Sequence, residues 1–412
     1  MTNLEILIQE LCPDGVEFRT MEEVFEIRNG YTPSKNNPDF WEGGTIPWFR
    51  MEDIRQNGRI LSDAIQHITP AAIKGKGLFP ANSIIIATTA TIGEHALVIA
   101  DSLANQQFTN LAVRKSLSAC LLPKFVFYYM FVIDEWCKKN VNAGNFASVD
   151  MKRFKKLEFP LPPIEVQTEI VRILDKFTSL EAELEAELDC RKRQYEYYRD
   201  KLLSFDNVGG QEVEWKKMSE VGTFIRGKRF VRTDIVEEGI PCIHYGDIYT
   251  YYGLTATKAK TYLKPEKAEK MKFASKNDVV IVGAGENNMD IGVGVAWLSD
   301  EKVAIHDACY IFKSKMNPRF VSHYLRGSNY HLQIKKYVCE GKICSISSKS
   351  IGRSLIPVPS LQEQERIATI LDRFESLTTS LQSGLPAEIA ARRQQYEHYR
   401  DKLLTFKRKG AA

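Results

Sequence analysis

The chain has 412 residues, of which 44% are hydrophobic and 26% are charged. This composition is ordinary for a folded soluble protein and excludes a fibrous or wholly disordered chain, while the length favours about two or three domains. The net charge of +4 allows contact with polyanions but does not by itself predict it.

Neither a membrane segment nor a disulfide framework is predicted. No apolar run reaches the ~18 residues that span a bilayer, and Glu5 and Glu10 lie where a signal peptide would be basic. The eight cysteines are scattered singly, as is typical of thiols in a reducing compartment. We therefore expect a cytoplasmic protein. The lysine-rich segment 258–276 suits a solvated surface as well as one that faces phosphates.

Two globular halves of mixed α and β structure are predicted, at residues 1–160 and 206–356. Short segments rich in β-branched residues and bounded by Gly, Asn or Asp predict strands in both halves. Each half also contains one longer segment that begins at a proline and predicts a helix. The strands are expected at 83–87, 95–99, 278–282 and 292–297, and the helices at 123–140 and 318–337.

The chain repeats itself at an offset of about 197 residues. Residues 16–21 return as 213–218, Gly30 corresponds to Gly227, and Gly144 corresponds to Gly341. The similarity is strongest where each half ends and weaker between those points. Such a pattern is expected of one scaffold used twice with two different specificities.

A long amphipathic helix is predicted after each half, at residues 161–205 and 357–412. Apolar residues recur in both segments at steps of three, four or seven, which places them in one stripe at the helical period. Proline precedes each stripe and suits a helix start. The second segment contains four extra residues, which keep the stripe on one face, whereas Gly384 and Pro386 predict a kink or short break near Gly384.

These helices are expected to pack on each other. A helix of about 40 residues is about 60 Å long, and a small domain cannot cover a stripe of that length. An antiparallel pair is therefore expected, and the alternative is that each helix packs on its own half. The residues expected in the pair are Ile170, Leu174, Phe177, Leu184, Leu188, Tyr198, Leu202, Ile367, Leu371, Phe374, Leu381, Ile389, Tyr399 and Leu403.

One segment resembles a cofactor-binding turn but is incomplete. Residues 279–285 run from a strand pattern into Gly-x-Gly, as in folds that bind nucleotides or S-adenosylmethionine. Asn288 takes the third glycine position, and the following residues alternate like a strand where a helix is required. We therefore expect a loop between strands. The sequence also contains no G-x-x-x-x-G-K-[ST] phosphate loop.

Two further patterns are weak. Residues 37–40 resemble the N-P-P-[YF] signature of amino-methyltransferases, but Asp39 breaks the pattern. Cys339 and Cys344, with His323 or His331, could ligate zinc, although their spacing is not one of the recognised finger spacings. We expect no metal site and no catalytic residues from these patterns.

The repeated landmarks resemble those of the specificity subunits of type I restriction-modification systems. Residues 11–17 resemble the opening of that family. The Pro-x-Pro-x-x-x-x-Gln pattern that begins at Pro160 and Pro357, and the Tyr-x-x-Tyr-Arg-Asp-Lys-Leu-Leu pattern that begins at Tyr195 and Tyr396, resemble its two conserved regions. The resemblance covers essentially the whole chain, and the combination, present twice, is highly specific.

The resemblance implies an α+β fold, with two similar mixed α/β target-recognition domains separated by an antiparallel pair of long helices. Each domain would read one half of a split target on double-stranded DNA, and the helices would set the gap between the halves. Two methyltransferase subunits and motor-nuclease subunits would dock on the chain. S-adenosylmethionine, ATP and magnesium would belong to those partners, so that the chain itself is no enzyme and holds no cofactor.

The DNA-binding candidates are polar or basic loop residues, because such side chains read base edges or contact phosphates. In the first half they are Arg28, Thr32, Lys35, Thr88, Thr89, Thr91, Asn105, Gln106 and Gln107. In the second half they are Arg226, Lys228, Arg229, Arg232, His244, Tyr245, Asn287, Asn288, Ser347, Ser348 and Lys349.

Two other classes of protein are compatible with parts of the sequence. A fused or degenerate DNA methyltransferase would have its own S-adenosylmethionine site, and that ligand would stabilise the purified chain. A coiled-coil scaffold without a nucleic-acid role would not show the steep dependence on salt that is expected of a DNA-binding protein.

Overall fold

A computed structural model describes residues 3–142, 147–205, 213–379 and 384–410. The chain divides into two compact units, of which the first contains Met1–Ala182 with Ala391–Ala412 and the second contains Glu183–Ala390. Each unit therefore combines one globular half with the beginning of one long helical segment and the end of the other.

The first unit is built around a five-stranded sheet. Its strands lie in the order Phe25–Asn29, Phe108–Val113, Ser83–Ala87, His95–Val98 and Ile60–Leu61. Neighbouring strands are antiparallel except for the last pair, which is parallel. A three-stranded sheet has the order His67–Ile68, Ile46–Phe49 and Leu103–Ala104. One two-stranded sheet joins Glu17–Thr20 to Glu158–Leu161. Another joins Val141–Asn142 to Ser148–Val149.

Both faces of the five-stranded sheet are buried. Ile84 and Ile86 lie in the core that helix Pro123–Lys139 shares, whereas Ile85 and Ala87 lie in a separate core on the opposite face. Successive side chains of a strand point to opposite faces, so an uninterrupted apolar strand fits a sheet that is covered on both sides. The other short helices of this unit are Asn3–Leu11, Met21–Val24, Met51–Asn57 and Met151–Lys155.

The second unit repeats this plan. Its main sheet has the order Gly222–Arg226, Cys309–Ser314, Val279–Val282, Gly294–Trp297 and Thr255–Ala256. A second five-stranded sheet has the order Ile235–Val236, Thr261–Leu263, Ile240–Ile243, Val303–Ile305 and Phe273–Ala274. Two-stranded sheets join Trp215–Lys217 to Leu355–Pro357 and Ala284–Gly285 to Cys344–Ser345.

The predicted helix 318–337 is wrong as a single helix, because it forms as Pro318–Tyr324 and Ser328–Lys335. The first helix ends at Tyr324, and Gly327 precedes the second. The carboxylate of Asp200 accepts a hydrogen bond from the backbone N–H of Ser328 at 3.2 Å and so satisfies a donor that a helix start leaves free. The other short helices are Met218–Val221, Tyr245–Thr250 and Ser348–Ile351.

The long helices follow the predicted segments closely. The central helix, Ile164–Ser204, has 41 residues and is about 61 Å long at about 1.5 Å per residue. The C-terminal segment forms two helices, Leu361–Thr379 and Leu385–Leu403. Gly384 precedes the second with φ +84°, a conformation that favours glycine, so the predicted break near Gly384 is confirmed.

The central and C-terminal helices pack together, as predicted. In the first unit the ring of Phe177 stacks on Tyr399, with centroids 5.6 Å apart, and Glu181 forms an ion pair with Arg393. Along the central helix the contacts run from Phe177 to Glu181, and along the C-terminal helix their partners run back from Tyr399 to Arg393. The two helices are therefore antiparallel there. In the second unit the matching stack joins Tyr198 to Phe374, with centroids 5.5 Å apart.

Much of the predicted stripe also packs into the globular halves. Ile170, Leu174 and Leu403 lie in or against the core of the first unit, and Leu202, Ile367 and Leu371 in or against that of the second. Leu184 and Leu188 are half-buried and Ile389 is buried. Leu381 lies outside the described residues. The stripe therefore serves both the packing of each helix on its own half and the helix pair.

A buried glutamine fixes the start of each long helical segment. The Gln167 side chain accepts a hydrogen bond from the backbone N–H of Leu122 at 2.9 Å and donates to the carbonyls of Cys120 and Pro162, both at 2.7 Å. Gln364 makes the corresponding bonds to Asn317 and Pro359. Because the buried backbone groups of a connecting loop need such partners, each glutamine ties a long helix to its half.

Replacement of this glutamine is expected to destabilise the first unit. Gln167→Ala leaves the buried N–H of Leu122 without its partner, and we expect the free energy of unfolding to fall by about 2–4 kcal/mol. Denaturant titration checks this value. Gln394→Ala, at an exposed position of the C-terminal helix, is the matched control and should change stability by less than ~0.5 kcal/mol. Equal effects of the two variants would contradict the anchoring role.

Candidate nucleic-acid interface

Three of the predicted DNA-binding loops of the first half meet at one edge of its main sheet. Arg28 pairs with Asn110 and Asn29 with Thr109, while Ala87 pairs with Phe108. Strands Phe25–Asn29 and Ser83–Ala87 therefore end beside the start of strand Phe108–Val113, which lies between them. This register brings together the loops that begin after Asn29 and after Ala87 and the loop that precedes Phe108.

A close backbone approach holds two of these loops together. A Cβ atom at Gly30 would lie 2.3 Å from the carbonyl oxygens of both Ala104 and Asn105. The hydroxyl of Thr32 donates to the side-chain oxygen of Gln106, and the Asn105 side chain contacts both the backbone N–H and the side chain of Gln107. The sequence predicted these polar residues in separate loops, and the structure places them side by side.

The other candidates of the first half have more local roles. The Arg28 guanidinium donates to the carbonyls of Lys76 and Leu78 and lies 5.1 Å from the ring centroid of Phe79, so it holds the loop that precedes Phe79. Thr88 is buried, and its hydroxyl bonds to that of Thr109. Thr89 pairs with Ser148, the hydroxyl of Thr91 is buried, and Lys35 is exposed.

The second half has the same edge. Arg226 pairs with Tyr310 and Val282 with Cys309, so the loops after Arg226 and Val282 meet the loop before Cys309. A Cβ atom at Gly227 would lie 2.2 Å from the carbonyl oxygen of His306, which is the equivalent of the Gly30 contact. The loop after Gly227 presents Lys228, Arg229 and Arg232, all exposed.

An aromatic cluster beside this edge includes one residue that the sequence analysis did not select. The ring of His306 lies 4.8 Å from Phe230, 4.6 Å from His244 and 5.8 Å from Tyr245, measured between centroids. His306 occupies the loop before strand Cys309–Ser314, which is equivalent in the structure to the loop of Asn105–Gln107 before strand Phe108–Val113. The repeat offset of 197 places His306 opposite Thr109, so the sequence alone gave no signal for it.

Backbone N–H groups contact the two histidines in this cluster. Nδ1 of His244 accepts from the backbone N–H of Gly246 at 3.3 Å, and Nδ1 of His306 accepts from that of Ala308 at 3.2 Å. Burial lowers the pKa of both imidazoles. In its neutral form the ring of His244 therefore carries its proton on Nε2 and is a hydrogen-bond donor there. Nδ1 of His306 also lies 3.3 Å from a carboxylate oxygen of Asp307.

Acidification is expected to destabilise the second unit. Burial lowers the pKa of His244, His306, His323 and His331. The unfolded chain therefore takes up protons first as the pH falls through about 6.5, and stability is lost from there downwards. Between pH 7 and pH 5 we expect the Tm to fall by roughly 2–4 °C for each kcal/mol lost.

Scanning calorimetry at both pH values checks this expectation. His331→Gln removes one of the four imidazoles whose pKa is lowered, so the difference in Tm between the two pH values should shrink. His398→Gln, at an exposed position, is the control and should leave that difference unchanged. A Tm that rises on acidification would contradict the direction of these pKa shifts.

The remaining candidates lie around a hairpin next to this edge. Asn287 accepts from the backbone N–H of Met289, and the side chain of Asn288 donates to Glu340 at 2.6 Å. Ser347 caps the short helix that contains Ser348 and the exposed Lys349. The backbone N–H of Ile346 donates to Gly283 at 2.8 Å, which attaches this segment to the loop after Val282.

The motifs that could suggest chemistry have structural explanations here. Gly283 and Gly285 follow a strand and lead into strand Gly294–Trp297, so the segment is a loop between strands, as expected. Asn37 accepts from the backbone N–H of Asp39 and begins a 3-10 turn. Cys339 pairs through its backbone with Ser345, and no group of three potential metal ligands occurs within residues 3–142, 147–205, 213–379 and 384–410.

The chain is similar to DNA specificity proteins over nearly its whole length. Residues 13–189 and 211–391 each match the family described as the type I restriction modification DNA specificity domain. The chain is 38% identical over 392 residues to the type I restriction enzyme EcoprrI specificity subunit of Escherichia coli, covering 92% of each chain. It is 31% identical over 279 residues to a putative type I restriction enzyme specificity subunit of Haemophilus influenzae, covering 63% of this chain and 66% of that one.

A solved structure shares the fold. A chain from a study of complex assembly and conformational transition in a type I restriction-modification system superposes with a TM-score of 0.62 and 17% identity, over 95% of this chain and 97% of that one. Two matches to a DNA specificity domain in one chain, each with a long helical segment, indicate a DNA-reading protein. The chain belongs to the specificity subunits of type I restriction-modification systems, which recognise a DNA target, and it has two target-recognition domains.

None of the described helices has both the length and the apolarity needed to span a bilayer.

Proposed function

We propose that each half of this subunit reads one half of a split DNA target at the sheet edge described above. One observation carries the proposal: in both units the same three strand ends meet, and the same glycine lies against the same neighbouring loop. The frame of the two sites is shared, while their loop residues differ. Two sites with the same backbone frame and different loop residues are suited to bind two different base sequences with the same geometry.

Exposure divides the candidate residues by role. Side chains that are exposed and basic are suited to phosphate contact, which fixes the register of the protein on DNA. These are Lys35, Arg226, Lys228, Arg229, Arg232 and Lys349. The polar groups beside them are suited to base edges, and these are Thr32, Asn105, Gln106 and Gln107 in the first half and His244 and Tyr245 in the second. Arg28, Thr88, Asn288 and Ser347 position the loops.

The long helices act as the spacer between the two readers. The proposed domains are residues 1–160 and 206–356 for recognition and 161–205 and 357–412 for spacing. Two methyltransferase subunits and the motor-nuclease subunits dock on the chain in the cytoplasm. These partners hold S-adenosylmethionine, ATP and magnesium, and they perform methyl transfer and cleavage.

Mapping of methylated positions in host DNA by single-molecule sequencing tests the proposal. We expect one methylated motif with two short specified parts and an unspecified gap. Alanine at Arg229 and Arg232 should weaken recognition, and alanine at Thr32 and Gln106 should relax the first specified part only. A continuous motif without a gap, or methylation that does not depend on this chain, would contradict the proposal.

Shortening of both helices is expected to change the gap alone. Removal of residues 183–189 and 384–390 takes about 10 Å from each helix, so the gap should shrink by up to about three base pairs. Both specified parts should stay the same, because no residue of either sheet edge is changed. Methylation mapping of the shortened chain checks this. An altered specified part would contradict the spacer role.

A further inference from the structure

Each half contains a short antiparallel backbone pairing beside its sheet edge. In the first half Ser148 pairs with Asn142 on one side and with Thr89 on the other. In the second half Ser345 pairs with Cys339 on one side and with Ala284 on the other. We call residues 141–149 the first hairpin and residues 338–346 the second hairpin. They correspond at the offset of the sequence repeat, and residues 143–146 of the first lie outside the described part.

The tip of the second hairpin is exposed. Glu340, Gly341, Lys342 and Ile343 are all exposed, and the side chain of Ile343 has 62% of its surface accessible. Singly exposed apolar side chains are common on protein surfaces, so exposure alone indicates no function.

The position of this tip indicates a function. Lys342 and Ile343 line a cavity of about 440 Å³ together with Tyr245, His306, Gly285 and Glu286. The cavity thus joins the tip to the aromatic cluster and to the loop after Val282, which are parts of the candidate interface. Its lining combines apolar surface with donors and one carboxylate, the mixture that base edges require.

The base of the hairpin is held firmly. Ser345 exchanges two backbone hydrogen bonds with Cys339, at 2.8 and 3.0 Å. The side chain of Glu340 accepts from Asn288 at 2.6 Å, and the hydroxyl of Tyr310 donates to the carbonyl of Ile346 at 3.1 Å. A ribbon that is fixed on both sides presents its tip in one orientation, which recognition of a base sequence needs.

The charge around the hairpin suits a polyanion. Arg226, Lys228, Arg229 and Lys342 are exposed in the loops at this edge, and Arg232 and Lys349 are exposed in the segments that follow two of them. The acidic residues beside them are Glu286, Asp290, Asp307 and Glu340. DNA is the partner that this excess of positive charge favours.

We propose that the second hairpin enters the major groove of the second half-site and that Lys342 and Ile343 determine part of its sequence. This inference rests on the proposed function. The major groove is the groove that distinguishes all four base pairs, and the exposed residues between Cys339 and Ser345 form a narrow loop that one backbone bridge closes. The Lys342 ammonium donates to acceptors on a base edge, for which guanine O6 and N7 are the best match. Ile343 packs against a thymine methyl group.

The test uses the full chain assembled with its partner subunits. Duplexes that carry the mapped target, randomised in the second half-site, are selected with the parent chain and with Lys342→Ala and Ile343→Ala. We expect discrimination at one or two adjacent base pairs to fall roughly 10-fold for each variant. The first half-site should be read as before. Ile343→Val keeps most of the apolar contact and should retain most of the discrimination.

Lys302→Ala is the matched control, because Lys302 is exposed in the loop after Trp297, at the opposite edge of the sheet. It should leave the selected sequences unchanged. Unchanged selection by both hairpin variants would overturn the inference. So would a loss of affinity by Lys342→Ala that is equal for all sequences and lowers the salt slope by about 1, since that result indicates a phosphate contact. Binding to every duplex that still weakens when Arg229 and Arg232 are replaced would leave the proposed function standing, whereas a randomised half-site that shows no preference even with the parent chain would refute it.

Discussion

An increase in salt from about 50 to about 200 mM is expected to weaken binding of target DNA to the full chain by about 10³-fold. Each neutralised phosphate releases a counterion, and the affinity then falls with a slope of about −0.9 per phosphate on logarithmic axes. Six exposed basic residues at the two proposed edges supply that number of contacts: Lys35, Arg226, Lys228, Arg229, Arg232 and Lys349. A titration of binding to a labelled duplex at several salt concentrations measures the slope.

Alanine variants measure how much each group of basic residues contributes to this salt dependence. Joint replacement of Lys228, Arg229 and Arg232 by alanine should reduce the slope by about 2.7 and weaken binding to every sequence. Joint replacement of Lys258, Lys264 and Lys270 by alanine is the control. These lysines lie outside the two proposed edges, in a segment that also suits a solvated surface without phosphate contacts. A flat dependence on salt would support a scaffold without a nucleic-acid role and would contradict the proposed function.

The long helices and the two similar halves could be predicted because their signals are periodic or repeated. A stripe at helical spacing predicted the helix that forms at Ile164–Ser204. Gly384 combined a residue that permits positive φ with a nearby proline, so the break could be located as well. The split of the helix at Leu325 could not be predicted, because the carboxylate of Asp200, which caps Ser328, lies far away in the sequence.

The candidate interface was predicted as a set of loops and not as a surface. Polar residues after strands are a local signal, but the register that joins Asn29 to Thr109 and Ala87 to Phe108 is a property of the folded sheet. The role of Arg28 could not be predicted from its charge. The charge suggested a phosphate contact, whereas its guanidinium donates hydrogen bonds to loop carbonyls. Burial and hydrogen bonding decide between such roles, and neither can be read from one residue type.

The second hairpin was missed although part of its signal was in the sequence. Gly144 and Gly341 correspond in the repeat, and Gly341 lies in the exposed tip of the second hairpin. Cys339 and Cys344 drew attention as potential metal ligands instead. The backbone of Cys339 pairs with that of Ser345, and residues 340–343 between them are exposed.

Alanine at one repeated glycine is expected to abolish recognition of one half-site and to spare the other. At Gly227 the added Cβ would lie 2.2 Å from the His306 carbonyl oxygen and 2.3 Å from that of Ile305. Backbone atoms cannot rotate away as a side chain can, so the two loops must separate. The hydrogen bond from the backbone N–H of Lys228 to Ile305, at 2.9 Å, is lost with that separation.

Gly30→Ala is the matched control, because the same clash occurs there with Ala104 and Asn105. Gly227→Ala should lower discrimination at the second half-site by about 10² or more, since several base pairs worth roughly 1–3 kcal/mol each are no longer read. Gly30→Ala should do the same at the first. Overpacking destabilises each variant by about 1–3 kcal/mol, which calorimetry measures separately. If either variant impaired both half-sites equally, general destabilisation would explain the loss. If Gly227→Ala impairs only the second half-site and Gly30→Ala only the first, each glycine must hold in place the sheet edge that reads its own half-site.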